Sequence, residues 1–205
     1  MADADPRIVL LRHGETTWSK QRRHTGRTDL PLTEAGEAQA IGAAAVIASL
    51  DLRDPLVLTS PRTRAKHTAE LAGLPHGKVD DDLAEWDYGD YEGETTAKIR
   101  DSVPGWTVWT HPTPGGETAE QVRVRADRIL ADVTPVLTDR DVILVGHGHF
   151  SRVLIARWLE LAVIEGRRFA MHTGAVSVLG FDHGAHTLWA HNLTARTEPV
   201  EEIAL

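Results

Sequence analysis

Three short runs of apolar and β-branched residues, Ile8–Leu11, Leu56–Thr59 and Val142–Val145, are each followed by polar or glycine-containing residues and then by a helical pattern. Short apolar runs bounded by turn residues read as buried strands, and their alternation with helices predicts an α/β fold with a mostly parallel central sheet flanked by helices. Thr33 is placed to N-cap an alanine-rich helix ending near Leu50, and Asp54-Pro55 breaks the chain before the second strand. Ser60-Pro61 supplies N-cap and N1 chemistry for a helix to about Ala72, which puts Arg62 and Arg64 in its first turn. Cations there oppose the helix dipole, a cost that a nearby anion would offset.

Residues 75–117 are rich in Gly, Pro, Asp and Trp with weak periodicity, and read as an excursion capping the sheet, with one short helix near Thr95–Arg100. Thr118 and Gln121 form a capping-box pattern ahead of Val122, Ala126, Ile129, Leu130, Val133 and Leu137 at helical spacing, and Pro135 ends or bends that helix. A further helix carries Val153, Leu154 and Trp158. Ala175–Phe181 and Thr187–Leu193, separated by Asp182-His183-Gly184, predict a hairpin, and the tail after Arg196 is expected to be mobile.

The length of 205 residues, with 41% hydrophobic and 25% charged, fits one domain over 1–205 with a substantial core. A formal charge of −8 disfavours nucleic acid, whose binding rests on clustered Lys and Arg. The charge is uneven: residues 1–70 hold ten Lys/Arg against nine Asp/Glu, whereas 71–120 hold three against eleven. An anion is therefore better received by the first segment. With no cysteine, disulfides, thiolate nucleophiles and Cys-based zinc sites are excluded. The acidic start lacks an apolar signal region and no stretch is long enough to span a bilayer, so the expectation is a cytoplasmic protein without membrane contact.

The strand ends carry the chemistry. Arg12 and His13 follow the first run, Arg64 follows the second and His147 the third, so all would converge at the carboxyl edge of one parallel sheet. A guanidinium offers forked donors to a tetrahedral oxyanion, and a neutral imidazole offers a nucleophilic nitrogen. His13-Gly14 and Gly146-His147-Gly148 let a ligand approach the backbone closely. A metal hydrolase is the rival reading, through His147 and His149 at i, i+2 on one strand face. Against it, the chain has neither an H-E-x-x-H helix nor a dense Asp/His set near His13. Gly146-His147-Gly148-His149-Phe150 lacks the serine of a nucleophile elbow, and no Walker-type glycine-lysine loop occurs.

Leu11-Arg12-His13-Gly14-Glu15-Thr16, Thr25-Gly26, Leu32-Thr33-Glu34-Ala35-Gly36, Ser60-Pro61-Arg62-Thr63-Arg64-Ala65, Glu85-Trp86-Asp87-Tyr88-Gly89 and Gly146-His147-Gly148 stand in the order seen in the histidine phosphatase superfamily. Over residues 8–193 the chain resembles its phosphoglycerate-mutase-like branch, and among these the compact broad-specificity acid phosphatases. The resemblance implies a three-layer α/β/α fold and a phosphomonoesterase acting on small phosphorylated metabolites. It implies that His13 becomes a phosphohistidine held by Arg12, Arg64 and His147, with Glu85 protonating the leaving oxygen. Thr25 and Gly26 match the loop over the phosphate, with Arg62 beside them; Ser19 stands where many mutases have asparagine, and His149 is a candidate for the substrate mouth. Acidic neighbours such as Asp87 or Glu92 would help Glu85 hold its proton, which implies an acidic activity optimum.

No metal or other cofactor is expected, because two arginines and a histidine already neutralise the transferring group. Longer mutases carry an arginine pair in the region matching 93–117, where this chain has only Lys98 and Arg100 as cations, together with Trp106 and Trp109. That difference favours hydrolysis, with an apolar or aromatic mouth, over the alternative of a cofactor-dependent phosphoglycerate mutase. The complete set Arg12, His13, Arg64, Glu85 and His147 speaks against a non-catalytic phosphate-binding module. A homodimer is compatible with the sequence, which contains no coiled-coil heptad.

Overall fold

The computed structural model describes residues 6–195, and the expectation for the tail after Arg196 lies outside them. The three apolar runs are the strands β1 (Ile8–Arg12), β2 (Leu56–Thr59) and β4 (Val142–Gly146). A two-residue strand β3 (Lys78–Val79) lies inside the excursion, too short to leave a sequence pattern. The hairpin strands are β5 (Val176–Asp182) and β6 (Ala185–Leu193). Its turn is His183-Gly184, both with positive φ (49° and 82°), as a two-residue type I′ connection requires.

One six-stranded sheet results, in the order β3-β2-β4-β1-β5-β6. β1, β2, β3 and β4 run parallel, while β5 runs antiparallel to β1 and pairs with β6. The main helices are α1 (Thr17–Lys20), α2 (Glu34–Ala48), α3 (Thr63–Leu71), α4 (Thr96–Arg100), α5 (Ala119–Val133) and α6 (Gly148–Trp158). Alternation along β1 divides the core between the two faces. Ile8 and Leu10 pack with Ile129 and Val153 of α5 and α6, whereas Val9 and Leu11 pack with Ala43, Ile47 and Ala65 of α2 and α3. This is a three-layer α/β/α architecture. No helix among the described residues is long and apolar enough to cross a membrane.

Thr33 caps α2, and Thr118 with Gln121 forms a capping box on α5, which gives way at Thr134 to a 3-10 turn containing Pro135. The start of α3 departs from the sequence reading. Its N-cap is Arg62, which has no side-chain capping bond; the Ser60 hydroxyl accepts from Arg62 N at 3.3 Å and is hydrogen-bonded to Nε2 of His147 at 2.7 Å. The carboxylate of Asp29, brought in from the loop before α2, accepts from Thr63 N at 2.8 and 3.0 Å and takes over the capping role.

Candidate active site

Because β1 lies between parallel β4 and antiparallel β5, the end of β1, the end of β4 and the segment entering β5 meet at one edge. His13 N donates to Gly146 O at 3.0 Å and Ser60 N to Val145 O at 2.9 Å, carrying the sheet pairing one residue past the strands. Arg12, His13, Ser60 and His147 are thus spaced by sheet geometry. The His13 and His147 rings lie edge to face, with centroids 5.2 Å apart.

The turn after His13 is fixed by a backbone contact only glycine permits. A Cβ on Gly14 would lie 2.1 Å from Gly36 O, and one on Gly36 would lie 2.1 Å from Glu15 O. Nδ1 of His13 is 2.7 Å from Gly14 O and must therefore carry the ring proton, leaving Nε2 with its lone pair. Burial, then the charges of Arg64 and Arg12, hold His13 well below its ordinary pKa, against the pull of the Gly14 carbonyl. His147 is likewise lowered, first by burial and then by Arg64.

Arg12 donates to Met171 O and lies against Gly148, where a Cβ would come within 3.0 Å of Cζ. Arg64 is fully buried and donates to Thr28 O, Thr25 O and Gly26 O. Four buried polar atoms here have no protein partner: Nε of Arg12, Arg62 and Arg64, and Nδ1 of His147. Buried polar nitrogens are seldom left unpaired, and here four of them lie in one candidate site. Among the described residues no group of three or more His, Asp or Glu side chains is placed to hold a metal ion. His147 and His149 do not share a strand face: β4 ends at Gly146, and His149 belongs to the first turn of α6.

Glu85 reaches the N-terminus of α6, where its carboxylate accepts from His149 N at 3.0 Å and Phe150 N at 2.8 Å, and also from Trp86 N. Two of these bonds fall on Oε1 and one on Oε2, so Oε2 keeps the greater free lone-pair capacity. The acidic neighbours are otherwise engaged. Asp87 pairs with Arg27 at 2.6 Å, and Glu92 accepts from Gly26 N and Thr28 N, fixing the loop that Arg64 grips from beneath.

A cavity of about 600 Å³ opens over this edge, lined by Arg12, His13, Ser19, Thr25, Glu85 and His149 among the sequence-derived candidates. Arg64 and His147 are fully buried and, like Arg62 and Gly26, are not in the lining. Ser19 is tied to Thr16 in the capping box of α1, and the Thr25 hydroxyl donates to Arg23 O. The tryptophans do not line the mouth as expected. Trp106 is buried against His24 and Tyr91, Phe150 belongs to the core, and Trp109 packs beneath Arg152. Instead Arg22, Arg23, His24, Tyr88 and Arg152 complete the lining, with Thr96, His172 and Thr173. The Tyr88 hydroxyl is hydrogen-bonded to Nδ1 of His149 at 2.6 Å. The only sequence signal for Arg152 is its i, i+3 spacing from His149 on one helix face.

The chain matches the histidine phosphatase superfamily (branch 1) over residues 8–194. It is 50% identical over 194 residues to an acid phosphatase of Mycobacterium tuberculosis, covering 95% of this chain and 96% of that protein. It is 34% identical to a sedoheptulose 1,7-bisphosphatase of Saccharomyces cerevisiae, covering 80% of this chain and 71% of the relative. Among solved structures, the product of a Mycobacterium tuberculosis open reading frame superposes with a TM-score of 0.92 at 49% identity, over 94% of this chain and all of that one. A mycobacterial glucosyl-3-phosphoglycerate phosphatase superposes with a TM-score of 0.80 at 31% identity, over 91% and 98% of the two chains. With strand order, ordered motifs and overall likeness in agreement, the chain belongs to the histidine phosphatase superfamily, branch 1, and is a phosphatase of that family.

Proposed function

We propose that the protein hydrolyses small phosphomonoesters through a phosphohistidine at His13. The observation that carries the reading is the Nδ1 bond of His13 to Gly14 O, which leaves Nε2 as a fixed, neutral nucleophile among orphaned donors. Nε2 bonds to phosphorus as the ester P–O bond breaks, and a proton on Glu85 Oε2 passes to the leaving oxygen. Arg12, Arg64 and Nδ1–H of His147 stabilise the equatorial oxygens, with Ser60 donating to Nε2 of His147. Water then attacks phosphorus, the N–P bond breaks, and Glu85 takes the proton from that water. The substrates of the relatives, a sugar bisphosphate and a glucosylated phosphoglycerate, support a small phosphorylated metabolite for this chain.

Acid-quenched enzyme mixed with labelled substrate is expected to carry label on His13, and His13→Ala to lose activity by about 10³-fold or more. Full activity in His13→Ala would end the proposal. Incubation with 3-phosphoglycerate, with and without the 2,3-bisphosphate, is expected to release phosphate; isomerisation instead would identify a mutase.

A further inference from the structure

The cavity holds far more positive charge than one phosphoryl group needs. Four arginines line it, Arg12, Arg22, Arg23 and Arg152, and the lone carboxylate among the lining residues, Glu85, is already bound by main-chain N–H groups. Elsewhere the arginines are mostly paired, as Arg125 is with Glu117, Arg128 with Asp82 and Arg157 with Asp127. Arg22, Arg23 and Arg152 have no acidic partner within 4.0 Å among the described residues.

Two of these three are also held rigid by neutral acceptors. Arg152 donates Nε to Gly166 O and Nη2 to Arg167 O and stacks on Trp109 at 4.8 Å, so Nη1 is the nitrogen left over. Arg23 donates Nε to Gln21 Oε1 and Nη1 to Gly93 O, which leaves Nη2. Arg22 is exposed and sits at φ 57°, a left-handed conformation uncommon outside glycine, with its N–H on Ser19 O. A guanidinium clamped by carbonyls keeps its charge and loses little entropy on meeting an anion, which is how a preorganised anion site is made. Burial and then the charge of Arg12 bring Arg152 down to about 10, so it stays cationic while feeling the neighbouring guanidinium.

We propose that Arg152, Arg23 and Arg22 form a distal anion subsite in the same cavity. On the phosphohistidine reading above, it selects phosphomonoesters bearing a second anionic oxygen group, a carboxylate or another phosphate, away from the transferred phosphoryl. This would also account for the few cations in 93–117, since here the mouth's positive charge comes from the loop after α1 and from α6.

The test is the ratio of kcat/KM within two substrate pairs: 3-phosphoglycerate over glycerol 3-phosphate for a carboxylate, and fructose 1,6-bisphosphate over fructose 1-phosphate for a second phosphate. The unaltered protein is expected to favour the more anionic member of at least one pair, which names the group. Arg152→Met is expected to lower that ratio about tenfold, the size of a charge-assisted bond. The exposed Arg22→Met, which disturbs no packing, is expected to lower it about threefold. Ratios near one in the unaltered protein, or ratios unmoved by both substitutions, would overturn the subsite while hydrolysis of the uncharged-tail esters kept the phosphatase reading intact. Failure to hydrolyse any of the four would sink both.

Discussion

At the scale of the residue, the proposed nucleophile His13 has its tautomer set by a single carbonyl, that of Gly14, and its proton affinity set first by burial and then by two guanidiniums, those of Arg64 and Arg12. The ring attacks only when neutral, and a lowered pKa keeps it neutral further into acid than the ordinary value of 6.5. The acid limb of kcat/KM, corrected for ionisation of the substrate, is therefore expected below pH 6.5. A limb centred at or above that value in a pH–rate series would contradict this assignment. On the proposed reading, burial and then the same guanidiniums that would hold phosphate keep the nucleophile free of protons.

At the scale of the element, the start of α3 shows how one helix end ties two segments together. Asp29 supplies the cap that Ser60 does not, and sits 3.7 Å from Arg64, whose guanidinium holds the carbonyls of the loop before it. Asp29→Ala is expected to cost about 1 kcal/mol, a fall of about 2–4 °C in Tm, and Asp29→Asn to recover most of it. Equal losses in both variants would show that charge rather than capping matters. This helix also marks what the sequence could reveal. Strands such as Val142–Gly146 and helices such as Ala119–Val133 were legible because period and caps are local signals. The role of Ser60 leaves no local signal, because its partner His147 is distant in sequence and the cap on Thr63 comes from Asp29. Arg12, His13, Arg64, Glu85 and His147 could be named through ordered motifs, and the topology brings them to one edge. Arg22, Arg23 and Arg152 could not, because lining a cavity is a property of the packed chain and leaves no periodic trace.

Across the whole molecule, the site imposes a condition on stability. His13, His24, His147 and His149 all have proton affinities lowered first by burial, His24 to about 4. Unfolding releases each ring to its ordinary value of 6.5, so between the two values the unfolded chain binds protons that the folded chain does not. Their contribution is therefore complete above pH 6.5 and is lost as pH falls through each folded value. For His24 alone the loss is of order 3 kcal/mol by pH 4. His24 packs against Tyr88, Trp106 and His149, so a phenylalanine can occupy its place without a charge to gain. Thermal unfolding followed from pH 7 to pH 4 is expected to show a steep fall in Tm for the unaltered protein and a shallower one for His24→Phe. Parallel curves would remove His24 as a cause. Carboxylate titration contributes to both curves alike, so their difference isolates the histidine. Activity in acid is thus bounded from below by buried imidazoles, three of which, His13, His24 and His149, also line the cavity.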